Sequence, residues 1–206
     1  MEVGKLDWQL REKLENPQSL YQIKSSQLCS DWHGVAINPV VNYGLAADSS
    51  DLAVWAWRSK APFLKFDLNC GQYFEGLWNQ DVIELFIDIN CEGHYVEFNL
   101  SPQGAWWFQH FEGYRVRTFG SSEKDFNQMR CFSAYSESFW AVAAILPKKY
   151  LECTNRNNIS LETVLKCNFC TILYNNKGVE HYVSASLPPV GAVPDFHLQC
   201  LRKTLF

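Results

Sequence analysis

Residues 77–108 read LWNQDVIELFIDINCEGHYVEFNLSPQGAWWF, and this stretch decides the fold. Two runs in it alternate with period two, the signature of β-strands. In the first run Ile83, Leu85 and Ile87 point one way, and Glu84, Phe86 and Asp88 the other. In the second, Val96, Phe98 and Leu100 oppose Tyr95, Glu97 and Asn99. Asn90-Cys91-Glu92-Gly93 lies between them and reads as a tight turn, with Gly at the position needing positive φ. The pair is therefore expected to be a half-buried hairpin with one greasy face. Its other face carries carboxylates, an amide and aromatic rings. A wet strand face usually carries Lys, Thr and Ser, so this face suits a polar ligand.

The chain has 206 residues, 47% of them apolar, enough for one large all-β domain or two small ones. The net charge is −4, and no run of Lys or Arg exceeds two residues. Phosphate-backbone binding needs clustered positive charge, so nucleic acid is not an expected partner. No apolar run approaches the roughly 20 residues of a membrane helix. The segment MEVGKLDWQLREKLENPQ has no hydrophobic signal region, which leads to the expectation of a cytoplasmic protein. The eight Cys are irregularly spaced and are expected to be reduced thiols. Aromatic residues reach 15%, with eight Trp. Most would fill a sandwich core, and a few would stand exposed as stacking platforms.

Along the chain, Leu6, Leu10 and Leu14 mark a short amphipathic helix that Asn16-Pro17 ends. Residues 21–24 are expected to form a strand and 29–38 a loop. Strands follow at 40–47 and 52–59, the latter with Trp55 and Trp57 on one face and Val54, Ala56 and Arg58 on the other. Residues 63–77 are irregular. Strands are expected at 105–111, 129–136, 139–146, 164–174 and 179–186, with a long loop at 112–127, a helical turn at 148–151 and a last short strand within 198–206. No linker, repeat or low-complexity tract divides the chain. The expected fold is all-β with little helix, a two-sheet antiparallel β-sandwich of jelly-roll or immunoglobulin-like type. An N-terminal arm, residues 1–39, would pack on a sandwich formed by residues 40–206.

Glu84 and Glu97 share a face and could form the carboxylate pair of a glycosidase, or simply anchor hydroxyl groups. Cys29, Asp31 and His33 lie close together but lack a fourth metal ligand at suitable spacing. Cys167-x-x-Cys170 has no second pair, and an offset of three in a strand puts the sulfurs on opposite faces. Asp67, Asp81 and Asp88 follow no calcium-loop pattern, although a structural Ca²⁺ is compatible with them. No nucleophile elbow, P-loop or dinucleotide motif occurs. No catalytic residue, metal ligand or cofactor is therefore assigned.

Trp78-x-x-Asp81-x-x-Glu84-x-Phe86-x-Asp88, followed by Tyr95-x-Glu97-x-Asn99 and Pro102-x-Gly104, resembles the core motif of family 9 carbohydrate-binding modules and the broader DOMON-like group. Trp140 through Pro147, Cys167-Asn168-Phe169 with Tyr182 through Ser186, and Pro194-Asp195-Phe196-His197 resemble further pieces in the same order, so the likeness covers about residues 40–206. The resemblance implies a β-sandwich that holds glucose- or xylose-based sugars between two Trp rings. Such modules are commonly attached to secreted xylanases and similar hydrolases.

Carried over residue by residue, Trp78 would be one stacking ring and Glu84 an acceptor for sugar hydroxyls, such charged bonds being worth ~1.5–3 kcal/mol. Tyr95, Glu97 and Asn99 would share that face, and Asn168 would be a further polar contact or a structural residue. Ala185 stands where the second ring is expected. Either Trp106 or Trp107 supplies that wall, or the site is altered or absent. The leading expectation is a non-catalytic module for a mono- or oligosaccharide. The alternatives are an interaction module for a protein partner or a second copy of the chain, and a small glycan-processing enzyme.

Overall fold

The computed structural model describes residues 3–88, 93–118, 126–151, 166–185 and 193–197. Its strands are β1 (Gly4–Lys5), β2 (Ser26–Ser30), β3 (Ala36–Ala47), β4 (Asp51–Arg58), β5 (Val82–Asp88), β6 (Tyr95–Leu100), β7 (Trp106–Gly113), β8 (Val116–Arg117), β9 (Arg130–Tyr135), β10 (Trp140–Pro147), β11 (Lys166–Asn175) and β12 (Gly178–Ser184). One sheet runs β9-β10-β4-β3, with β1 and β2 both pairing with β3. The other runs β12-β11-β5-β6-β7-β8. Every named pair is antiparallel except β1 with β3. The expected all-β two-sheet sandwich is the fold observed. No helix among the described residues is long and apolar enough to cross a membrane.

Period-two alternation explains the main core. Val41, Tyr43 and Leu45 of β3, Val54 and Ala56 of β4, and Val142 and Ala144 of β10 meet Ile83, Leu85, Ile87, Val96, Phe98 and Leu100 from the other sheet. The outer face of the first sheet is surfaced with small residues, Ala46, Ala53, Ala141 and Ala143, which let helix α1 (Trp8–Leu14) and the 3-10 helix Pro17–Gln22 approach closely. Asp7 caps α1, its side chain accepting from the Leu10 N–H at 2.9 Å. Arg11 ties the helix to the β3–β4 turn through Asp48 and Asp51. Burial opposes ionisation of Asp48, but bonds from Arg11 and from the Ser50 and Asp51 amides outweigh it and hold the carboxyl down at about 2.

The outer face of the second sheet is also covered. Residues 63–78 and Phe196 lie over Val82, Phe86, Tyr95, Trp107 and Phe111. Strands β5 and β6 are therefore buried on both faces, not half-exposed as their alternation predicts. Asp81 pins this covering loop, accepting from the Tyr174 N–H at 2.7 Å and the Phe63 N–H at 3.1 Å. Burial pushes the Asp81 carboxyl up to about 6, against those two amide bonds.

Three local expectations change. Residues 21–24 form no strand, because the N–H of Ile23 closes a 3-10 turn onto Leu20. The loop expected at 29–38 shrinks to residues 31–35, because β2 and the start of β3 pair as a hairpin. The long loop at 112–127 contains β8, which pairs with β7. The 148–151 turn is 3-10, Trp55 and Trp57 face away from Val54 and Ala56 as expected, and Gly93 has φ +75°. Cys167 packs on the main core and Cys170 on the opposite face, and Cys29, Cys70, Cys131 and Cys167 are free thiols. The strand expected within 198–206 and most of the 90–93 turn lie outside the described residues.

Gly44 sits directly across from Trp55, and a Cβ there would meet the indole ring at 2.1 Å. Trp55 is buried. Gly44→Ala is expected to lower stability by about 1–3 kcal/mol through overpacking, measured as a fall in the urea midpoint with unchanged slope. An unchanged midpoint would show that the ring moves freely.

Candidate functional site

Register builds the site. Cys170, Glu84, Asn99 and Trp107 lie side by side across β11, β5, β6 and β7, and the next rung is Asn168, Phe86, Glu97 and Gln109. Directly paired residues share a face, so the carboxylates, the amides and Trp107 all point to the outer side of this sheet. A pocket of about 390 Å³ opens over these rungs.

Trp78 forms one wall, half-buried on the 3-10 turn Leu77–Asn79. The Tyr174 hydroxyl donates to its carbonyl at 2.7 Å, and Asp81 anchors the same turn. Residues 194–197 form the opposite wall. There Phe196 packs against Trp32, Phe86 and Tyr182. His197 Nδ1 lies 2.6 Å from the Tyr95 hydroxyl, which also accepts the Arg115 N–H at 3.2 Å. Arg115, in the left-handed region at φ 56°, and Arg117 stand at the rim. Arg115 pairs with Asp195 at 3.3 Å, and Arg117 pairs with Glu75 at 2.7 Å while lying over the Trp107 ring.

The two carboxyl groups at the floor differ. Glu97, 5% exposed, accepts from Asn99 Nδ2 at 2.9 Å and has His197 Nε2 3.5 Å away. Glu84, 4% exposed, makes no hydrogen bond to a described residue. Burial raises its carboxyl well above the ordinary range, the neighbouring Glu97 adds to this, and Arg115 opposes it. Burial also raises Glu97, to about 7, against the Asn99 bond and the two arginines. Burial lowers His197 to about 4, with Arg115 and Arg117 pushing the same way, so the ring is neutral at neutral pH. Two buried like charges that interact this strongly do not both ionise without a counter-charge.

Of the residues expected at the site, Trp78, Glu84, Glu97 and Trp107 line the pocket. Asn99 is fully buried behind Glu97 and orients it. Tyr95 is buried, stacked on Phe111 at 4.7 Å, and holds His197 rather than facing the opening. Asn168 lies one strand away and accepts from Ser184 at 3.0 Å. Ala185 packs on the main core, away from the pocket. Trp107 meets Trp78 edge to face, with centroids 5.5 Å apart and planes at 76°, so the two rings form a corner rather than parallel plates. Trp106 is buried in the main core with its N–H bonded to the Gly71 carbonyl, and it does not line this pocket.

Composition and pattern did not mark Arg115 or Arg117, which enter only through tertiary packing, whereas Phe111 shares the Trp107 face by alternation and Tyr182 opens one of the motif pieces. His197 stood out only as part of the Pro194–His197 run. The Cys29, Asp31 and His33 group does not assemble: Asp31 instead pairs with His181 at 2.9 Å and accepts the His33 and Val35 N–H groups. Among the described residues no group of three His, Cys, Asp or Glu is placed to hold a metal ion.

The sandwich has the fold of family 9 carbohydrate-binding modules. A crystal structure of a candidate carbohydrate-binding protein from Bacteroides uniformis superposes with TM-score 0.72, at 17% identity over 96% of this chain and 93% of that one. A family 9 module from Caldicellulosiruptor kristjanssonii in complex with glucose superposes with TM-score 0.53, at 10% identity over 89% of this chain and 80% of that one. The same organism's family 9 module in complex with cellotriose gives TM-score 0.51 at 10% identity, over 89% and 78% of the two chains. No family model and no curated protein sequence matches the chain.

The raised carboxyls make stability depend on pH. Between its ordinary value of 4.5 and about 7, Glu97 keeps a proton in the folded state that the unfolded chain has already lost. Stability is therefore present at low pH and falls as pH rises through about 7. His197 acts in the opposite sense, costing stability only as pH drops from 6.5 toward 4. Urea midpoints are expected to be lower at about pH 8 than at about pH 6, and Glu97→Gln should shrink that difference. An undiminished difference in the variant would assign the effect to other groups.

Proposed function

We propose that this protein is a non-catalytic carbohydrate-binding β-sandwich whose pocket takes a mono- or oligosaccharide. The observation that carries this reading is the pocket itself, a concave site walled by Trp78, Trp107, Phe86, Phe111 and Tyr182 over buried hydrogen-bond acceptors. Aromatic faces suit the C–H faces of a pyranose, and carboxyl oxygens suit its hydroxyls. The volume lies in the range of small-ligand sites. The family 9 modules of the same fold, bound to glucose and to cellotriose, support the same ligand class.

Titrating the protein with glucose, cellotriose and xylo-oligosaccharides while following Trp fluorescence tests the proposal. At least one sugar is expected to change the emission saturably. Trp78→Ala should weaken that binding by about tenfold or more through lost stacking area, with far-UV circular dichroism unchanged. Silence toward every sugar would overturn the reading. Turnover of an aryl glycoside that Glu84→Gln abolishes would replace it with the enzyme.

A further inference from the structure

The floor of the pocket offers acceptors almost without donors. Glu84 is buried, unpartnered among the described residues and directed into the cavity. Glu97 uses one oxygen for Asn99, and its other oxygen has His197 no nearer than 3.5 Å. Behind them, Asn99 Oδ1 is a buried acceptor with no hydrogen-bond partner. Such groups are costly to leave unmet.

Charge points the same way. The two cations in the pocket wall, Arg115 and Arg117, sit at its rim, and each already has a carboxylate, Asp195 and Glu75. His197 carries no charge at neutral pH to offset the glutamates. A single proton shared by Glu84 and Glu97 satisfies one charge and one bond. A neutral hydroxyl brings one donor and no charge. An alkylammonium brings three donors and a full positive charge, which lets both carboxyls ionise and take charge-assisted bonds. The aromatic walls favour the same cation through their ring faces.

We propose that the pocket is selective for an amino sugar, with a primary ammonium group seated between Glu84 and Glu97. This rests on the sugar-binding reading above and narrows it to one substrate class. The ring of the sugar lies against Trp78, and the ammonium displaces the proton that the carboxyl pair holds in the empty site. N-acetylation removes both the charge and two of the donors, so it removes the preference.

The test is isothermal titration of the full chain with D-glucosamine, D-glucose and N-acetyl-D-glucosamine at about pH 6, in two buffers of different ionisation enthalpy. Glucosamine is expected to bind at least about tenfold tighter than either of the others, since charged bonds exceed neutral ones. Its apparent enthalpy should differ between the buffers because a proton is released, while that of glucose should not. In Glu84→Gln the ratio of glucosamine to glucose affinity should collapse to about one, whatever the absolute affinities. If that variant fails to fold, Glu97→Gln is read by the same ratio. Glucose binding as tightly as glucosamine overturns the amino-sugar preference and leaves the sugar site standing. Binding of none of the three, and of no oligosaccharide, overturns both.

Discussion

Two carboxyl groups on adjacent central strands, under cover on both sides, set the terms for the rest of the molecule. Glu84 and Glu97 cannot be buried without help, because an isolated ionised carboxylate in an apolar site is among the most expensive groups to desolvate. The molecule meets this constraint in parts. Asn99 donates to one glutamate, the neutral His197 ring lies near it, and burial raises both carboxyls so that the pair resists full ionisation. The covering segments follow from the same need. The loop before β5 and residues 194–197 close over the face, yet leave a cavity where a filled core would otherwise press apolar atoms onto oxygen.

The parts that hold the pocket open are mostly not the parts that line it. Asp81 fixes the turn carrying Trp78 through two backbone amides and does not line the pocket. Tyr95 plays the corresponding role on the other wall through His197 and the Arg115 amide. This separation explains why a motif such as Trp78-x-x-Asp81-x-x-Glu84 mixes residues of different purpose. One ring lines the pocket, one carboxylate pins the turn and one carboxylate faces the cavity. Its spacing is that of a turn entering a strand, and the chemistry is spread along it.

Much of this was legible from residue order. Alternation in Ile83–Asp88 and Tyr95–Leu100 specifies both faces of the hairpin, and the observed register puts Glu84, Glu97 and Asn99 on one side as read. That this side would be covered was not legible, because the covering comes from residues far away in the chain, such as Phe66, Leu68 and Phe196. Alternation reports which side chains share a face and says nothing of what lies against it. The same limit hid Arg115 and Arg117, which look like ordinary loop and edge-strand charges until the turn at 114–115 brings both to the pocket and Arg117 over Trp107. The two rings that line the pocket meet at a corner for a local reason. Ala185 follows β12 on the core side, while Trp107 comes from the sheet itself and is held edge-on to Trp78.

The alternation of Ile83, Leu85 and Ile87 with Glu84, Phe86 and Asp88 also bears on how the chain finds its own structure. A one-residue slip in the pairing of β5 would exchange its two faces. In a strand that is apolar on both faces such an error trades one apolar residue for another. Here it would drive Glu84 into the space between the sheets, among Val54, Val142 and Phe169, with no amide or imidazole within reach. The penalty runs to several kcal/mol per carboxyl. The glutamates that shape the pocket therefore also proofread the hairpin, and a chain in which both were replaced by apolar residues would lose a guard against misregistered strands along with its site.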